Sequence, residues 1–378
     1  MFQKIIRACV RVVQRYLPEP FIFAIILTLV AALLAMPICR QNPIEVIEHW
    51  GNGVWGLLAF AMQMALVLVC GSTLAAAPVV KKGIGRLAAL PKTPAAAIAL
   101  VTGVSAVACW INWGFGLIVG VIFAKEIARK LQGVDYRLLI ASAYSGFVVW
   151  HAGLSGSIPL TMATPGDALT KATNGILTEP VHITRTILDP HNIVMVLLVI
   201  IALVAVNALM HPKKEHTVTV DPSLLEEEEI PMKPLTETPA EKMENSSLLS
   251  WIVALLGFSY LVIHLGFKGG SLDLNSVIML FLFTGVILHG TPLAYVRAFT
   301  KAATGAAGII LQFPFYAGIM ERFGKITGFE SDSAEQRTVR GPLRAFLRDA
   351  ASHFSPFSSC FFARTNCFLA FQGVLYII

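Results

Sequence analysis

The pentapeptide Asn112-Trp113-Gly114-Phe115-Gly116 places an amide, two aromatic rings and two glycines inside Thr93 to Ala124, a run of 32 residues without a charge. A plain membrane helix would be aliphatic there. An amide side chain and backbone laid open by glycine are hydrogen-bond donors, and the helix N-terminus that such a break creates suits an anion. Further on, Ser155, Ser157 and Thr164 bring hydroxyls into a stretch that Gly153, Gly156, Pro159 and Pro165 disturb. Those hydroxyls could line a substrate path, or they could bond to backbone freed by glycine and proline. His151, an ionisable group in apolar sequence, is either a proton relay or a packing residue. Gln312 stands before Phe313, Pro314, Phe315 and Tyr316, a second site of expected broken helix. It could meet a ligand or satisfy the backbone that Pro314 leaves open.

The elements that must hold these groups follow from charge and length. Lys81, Lys82, Arg86 and Lys92 precede the uncharged run, and Lys125, Arg129, Lys130 and Arg137 follow it. Basic flanks stay cytoplasmic, so the run must enter the membrane and return. A full crossing needs roughly 20 residues, and 32 do not make two. The expectation is a re-entrant hairpin over about 93–124, with its tip inside the membrane, where transporters place broken helices and their binding sites. The alternative is one long tilted helix whose glycines permit close packing.

The chain has 378 residues, of which 56% are hydrophobic and 14% charged. A soluble domain carries about 25% charged residues, so the expected class is an all-α polytopic membrane protein. The net charge of +6 is dispersed over loops and marks topology, with no nucleic-acid module around it. The six cysteines form no CxxC pair, and no metal site or cofactor motif is expected. No HExxH, GxSxG or DxD-like array sits at membrane depth, so no catalytic residue is assigned and an enzyme is disfavoured. A passive channel would show rings of one polar type.

Residues 1–16 read as an amphipathic helix, with Phe2, Ile5, Ile6, Cys9, Val10 and Val13 on one face and Lys4, Arg7, Arg11 and Arg15 on the other. Such a helix lies in the cytoplasmic interface against anionic lipid. Residues 17–210 form a first membrane half, with spans about Phe21–Ile38, Val54–Leu74, Leu138–Leu160 and Asn192–Met210 around the hairpin. Gln63 in the second span is expected to make a helix–helix hydrogen bond. Residues 211–247, with five prolines and the acidic run Glu226 to Glu229, read as a cytoplasmic linker. Residues 248–325 offer a partial second half. Residues 326–378 change abruptly to a charged and then Phe-, Ser- and Cys-rich tail with no convincing span. The expectation is a tail out of frame with its ancestor; an unusual genuine tail is the alternative.

Several stretches together resemble one family: RYLPEPFIFAIILT (15–28), WGNGVWGLLAFAMQMALVLVCG (50–71), VACWINWGFGLIVG (107–120), SGSIPLTMATPG (155–166), HGTPLAYVRA (289–298) and GIILQFPFYAGI (308–319). The chain is similar to the bacterial short-chain fatty acid transporters, the acetoacetate and butyrate uptake permeases, as far as about residue 325. The resemblance implies a multi-pass carrier of small monocarboxylates in the bacterial inner membrane; the cytoplasmic N-terminus is expected from the basic amphipathic segment 1–16. The resemblance also implies an ion-transporter-like fold with re-entrant hairpins and inverted repeats. In the family a second Asn-containing, Pro-Ser-Gly-Gly-Gly element follows near the C-terminus. It is absent here, which makes the second half read as truncated and a non-transporting remnant the rival function. A carboxylate with a short tail needs donors at one end and an apolar wall at the other. Asn112 and the Gly114 and Gly116 backbone could supply the donors, and Trp113 and Phe115 the wall. The implied partners are the monocarboxylate, the lipid bilayer and a coupling proton or cation; the preferred acid and homo-oligomerisation stay open.

Overall fold

In a computed structural model of the chain, the described residues are 19–39, 41–166, 179–212, 217–221, 238–270 and 272–326, with single positions at 15, 169, 215 and 225. The expectations for residues 1–14, for Glu226 to Glu229 and for 327–378 lie outside them. Among the described residues every regular element is helical. Seven helical segments among the described residues are long and apolar enough to cross a membrane. The protein is an all-α polytopic membrane protein. It divides into two compact units: the described residues before Met62 and from Gly308 on make one, and Met62 to Ala307 make the other.

Helix starts are written locally as a polar cap followed by proline. Asn42 and Pro43 open α2 (Pro43–Gly53), where Asn42 Oδ1 accepts from Glu45 N–H at 2.9 Å and Glu45 Oε2 accepts from Asn42 N–H at 3.0 Å. Thr93 and Pro94 open α5 (Pro94–Ile111), and Asp189 and Pro190 open α9 (Pro190–Leu209). Thr291 and Pro292 do the same for α13 (Pro292–Ala303). The cap oxygen takes one orphan amide, and proline has no amide to orphan.

The smaller unit holds α1 (Pro20–Cys39), α2 and α14 (Ala307–Ile326), with the start of α3 (Leu58–Ala75). The span expected from Val54 begins at Leu58, because Val54 to Leu57 form turns in which Gly56 N–H donates to Gly53 O at 2.9 Å. The broken helix expected around Pro314 is a correction. α14 runs continuously through Pro314. The aromatic residues beside the proline hold the turns in place: Phe315 meets Phe21 edge-on at 5.0 Å and Trp50 at 5.8 Å, and Phe313 meets Phe60 at 5.8 Å. One missing amide bond weakens a helix, but packing on both sides keeps it whole.

In the larger unit, α5 turns at Asn112 into α6 (Trp113–Lys130) and runs back along it. Gly116 lies against Cys109, and Gly120 lies against Ser105 and Ala143. The two arms are antiparallel, and neither is a continuation of the other. Each has 18 residues, about 27 Å at 1.5 Å per residue. The second arm runs beyond the bounds expected from 93–124, because α6 continues through its charged last turns to Lys130. α7 (Tyr136–Ser145) packs on both arms and passes into a 3-10 segment, Gly146–Ala152. After the break at Gly153 to Gly156 comes α8 (Ser157–Ala163). The core of these helices is Ile98, Val101, Phe123, Ile127, Leu139 and Ile140. Asn207 on α9 donates to Thr102 at 3.2 Å and to Ser145 at 2.7 Å, so the polar residue of that span faces other helices. Leu197, Leu198 and Ile201 on the same helix face outward, as lipid contact requires.

The linker begins docked. Asp135 caps α7 by accepting from Leu138 N–H at 2.8 Å, and its second oxygen accepts from Val218 N–H at 2.8 Å. Tyr136 N–H donates to Val218 O, and Val220 and Leu225 pack on the core. After α10 (Pro239–Glu244) come α11 (Ser247–Val262), which ends in one π turn at Ile263–Phe267, and then α12 (Leu274–His289). Gln63 donates to Asn275 Oδ1 at 2.7 Å, the expected interhelical bond.

Candidate functional site

Asn112 is extended, with φ −153° and ψ 124°, and it is at once the last cap of α5 and the first cap of α6. Its N–H donates to Ala108 O at 2.9 Å, and its carbonyl accepts from Gly116 N–H at 2.8 Å. Its side-chain Oδ1 accepts from Phe115 N–H at 2.9 Å. Ser155 Oγ accepts from Trp113 N–H at 2.9 Å. Three amides of the first turn of α6 are therefore spent inside the protein. The expectation that the Gly116 backbone offers a donor is corrected, because that amide closes the first helical bond.

The break after Ala152 and the hairpin tip satisfy one another. Leu154 N–H donates to Trp110 O at 2.7 Å, capping the end of α5. Trp110 Nε1 donates to Ala152 O at 3.1 Å, and Asn192 Nδ2 donates to the same oxygen at 3.0 Å. Non-helical backbone within a membrane is tolerated only when it is bonded this way or wetted. Ser155 and Thr164 both use their hydroxyls on backbone: Thr164 Oγ1 donates to Leu160 O at 2.7 Å and accepts from Leu274 N–H at 3.3 Å. Ser157 starts α8 and is buried.

Glycines let three backbones approach. A Cβ on Gly71 of α3 would strike the Asn112 side chain and the Phe115 amide. One on Gly114 would lie 2.7 Å from Leu68 Cα and 2.8 Å from Leu68 O, and one on Gly153 would strike Trp110 O. Gly114 and Gly116 serve this packing, which was the use assigned to them in the alternative to the hairpin.

Trp113 and Phe115 do not form one wall. Two residues apart on a helix point about 200° apart. Trp113 joins Phe147 at 6.1 Å and Trp150 at 5.9 Å, and those two rings stack at 5.4 Å. Phe115 instead meets Phe281 of α12 at 6.3 Å. Phe147, Trp150 and Gly71 are members of the site that sequence reasoning passed over. Gly71 stands among other small residues of its span, Cys70, Ser72 and Thr73, and nothing in its local sequence singled it out.

Polar atoms are left over. Asn112 is 1% exposed and its Nδ2 has no partner. Trp113 Nε1 and both ring nitrogens of His151 are also buried and unpartnered. The His151 ring lies 3.7 Å from that of Trp150, which links it to Trp113. Among the described residues no Lys or Arg is buried. The site thus offers neutral donors beside an aromatic wall. Gln312 is buried on α14 in the smaller unit, beside Gly308.

A family model described as short chain fatty acid transporter matches residues 1–334. The chain belongs to the short-chain fatty acid transporter family. A protein of Haemophilus influenzae described as "Putative short-chain fatty acid transporter" is 40% identical over 368 residues, covering 94% of this chain and 81% of its own. One of Escherichia coli with the same description is 41% identical over 363 residues, with the same coverage. No solved structure matches the chain. The match to the family contains every residue of the tip and of the segment that braces it.

Proposed function

We propose that the protein is a secondary carrier that takes short-chain monocarboxylates of the acetoacetate and butyrate class across the bacterial inner membrane, with its N-terminus cytoplasmic. The α5–α6 hairpin is re-entrant in this reading. The apolar part of α6, Trp113 to Ala124, has 12 residues before Lys125, about 18 Å of helix and too little to cross alone. The single observation behind the reading is the pair of buried, unpartnered donors Asn112 Nδ2 and Trp113 Nε1 at the meeting point of two helices. A buried donor without a partner costs about 1–3 kcal/mol, and a carboxylate supplies the missing acceptor. The rings of Trp113, Phe147 and Trp150 would receive the short alkyl or acyl tail.

The test is saturable uptake of labelled acetoacetate and butyrate by cells lacking other carriers for them. Asn112→Ala removes a donor to a charged group, worth about 1.5–3 kcal/mol, and KM is expected to rise at least about tenfold with the protein still in the membrane. Unchanged uptake would sink the site. A wild-type chain that transports a different organic anion, and neither of these acids, would overturn the substrate class.

A further inference from the structure

We infer that His151 carries the proton that accompanies each monocarboxylate, so that the protein couples uptake to the pH gradient. The inference rests on the transport reading above. A carboxylate buried without a counter-charge is costly, and among the described residues no Lys or Arg is buried to provide one. Asn112 and Trp113 orient an anion without neutralising it. A co-transported cation can supply the counter-charge, and a proton is the one that a basic side chain of the same cluster can hold.

His151 is that group by position. It is the penultimate residue of the 3-10 segment, just before the break that braces the hairpin tip. Neither ring nitrogen has a partner, although both are buried and the ring lies against Trp150. A histidine kept only for packing would be expected to bond one nitrogen to backbone or hydroxyl, as buried polar groups do. Of the titratable groups on the packed elements, the buried thiol of Cys109 shares the cluster of Phe147 and Trp150. α5 contributes Cys109, α7 contributes Tyr136, Arg137 and Tyr144, and α8 contributes none. On α6, Lys125, Glu126, Arg129 and Lys130 begin 12 residues beyond Trp113. On α9, His191 bonds Asp189 at 3.1 Å in the open, one residue before Asn192, which reaches Ala152 O.

In each cycle the neutral imidazole takes a proton on a free ring nitrogen. The carboxylate then enters beside the imidazolium, giving a neutral pair. On the opposite face the proton leaves to water as the anion departs. One anion and one proton cross together, and no net charge moves.

The test uses the purified full chain in proteoliposomes, with potassium and valinomycin clamping the potential at zero and flux into protein-free vesicles subtracted. Wild type is expected to accumulate labelled acetoacetate when the outside is acid and to exchange it at equal pH. H151Q removes the counter-charge and is expected to lose both exchange and gradient-driven accumulation by at least tenfold, whereas H151K, which keeps a charge but does not release its proton in each cycle, is expected to retain measurable exchange and to lose accumulation by at least tenfold. Accumulation by H151Q equal to wild type overturns the proposal. So does gradient-driven accumulation by H151K equal to wild type, because His151 would then serve binding alone. Wild-type uptake driven by a sodium gradient and indifferent to pH overturns it too. A wild-type chain that exchanges no acetoacetate overturns the transport reading itself.

Discussion

Asn112 divides its amide between two tasks. Oδ1 caps α6 through the Phe115 amide, and Nδ2 is left without a partner in a residue that is 1% exposed. The division can be tested with Asn112→Asp, which keeps the cap and replaces the donor with a second acceptor bearing charge. The variant is expected to insert with lower thermal stability, because the buried carboxylate has no counter-charge, and uptake per inserted molecule is expected to fall below a tenth; uptake near wild type would show that Nδ2 is not used. Trp113→Phe separates ring from donor in the same manner, and KM is expected to rise about tenfold with thermal stability kept. Ser155→Ala does the reverse. It strands the buried Trp113 amide, whose acceptor is Ser155 Oγ at 2.9 Å, and stability is expected to drop by about 1–3 kcal/mol. A melting temperature indistinguishable from wild type would assign that amide another partner.

At the scale of elements, two interrupted helices complete one another. The end of α5 is capped by Leu154 N–H, the start of α6 is capped by Ser155, and the carbonyl of Ala152 collects bonds from Trp110 and Asn192. The arrangement needs close backbone approach, which Gly71, Gly114 and Gly153 permit. Gly114→Val would drive a side chain into the Leu68 backbone. It is expected to cost about 1–3 kcal/mol or more, read as lower yield and a lower melting temperature in detergent. Gly83→Ala on α4 (Pro78–Leu87) is the control, since nothing lies within 4 Å of its Cβ position. Replacing a helical glycine there is expected to be neutral or stabilising by up to about 1 kcal/mol. Equal effects at the two positions would argue against the tight packing at the tip.

For the whole molecule, the antiparallel arms place Lys92 and Gln132 at the same end of the hairpin, and in the proposed orientation the basic residues around both face the cytoplasm. In a chain freed of its native cysteines, Lys92→Cys and Gln132→Cys are expected to react only with reagent admitted to the cytoplasm. Glu179→Cys, in the loop before α9, is expected to react from outside. Opposite labelling of the first two positions would restore the single long helix. Cys70 and Cys109 are free and buried, so they act as small core residues in their helices.

Hydropathy, length and charge alone determined the membrane class, the spans, the hairpin and its turning point, because each depends on residues adjacent in the chain. The uncharged run from Thr93, the polar break at Asn112 and the basic flanks were all legible in this way. So was the interhelical bond of Gln63, since a lone amide in a span has few other outlets. Only the tertiary structure decided how the tip is used. Ser155 reaches the Trp113 amide across 42 residues, and Gly71 reaches Asn112 from another helix. Trp113 and Phe115 part company because the helix turns between them. Pro314 reads locally as a break, yet α14 passes through it with Phe21, Trp50 and Phe60 packed against its flanks. A local sequence sets where backbone groups become available. Which of them stay available is decided by partners far away in the chain, and at this tip the remainder is a pair of side-chain donors and one histidine ring.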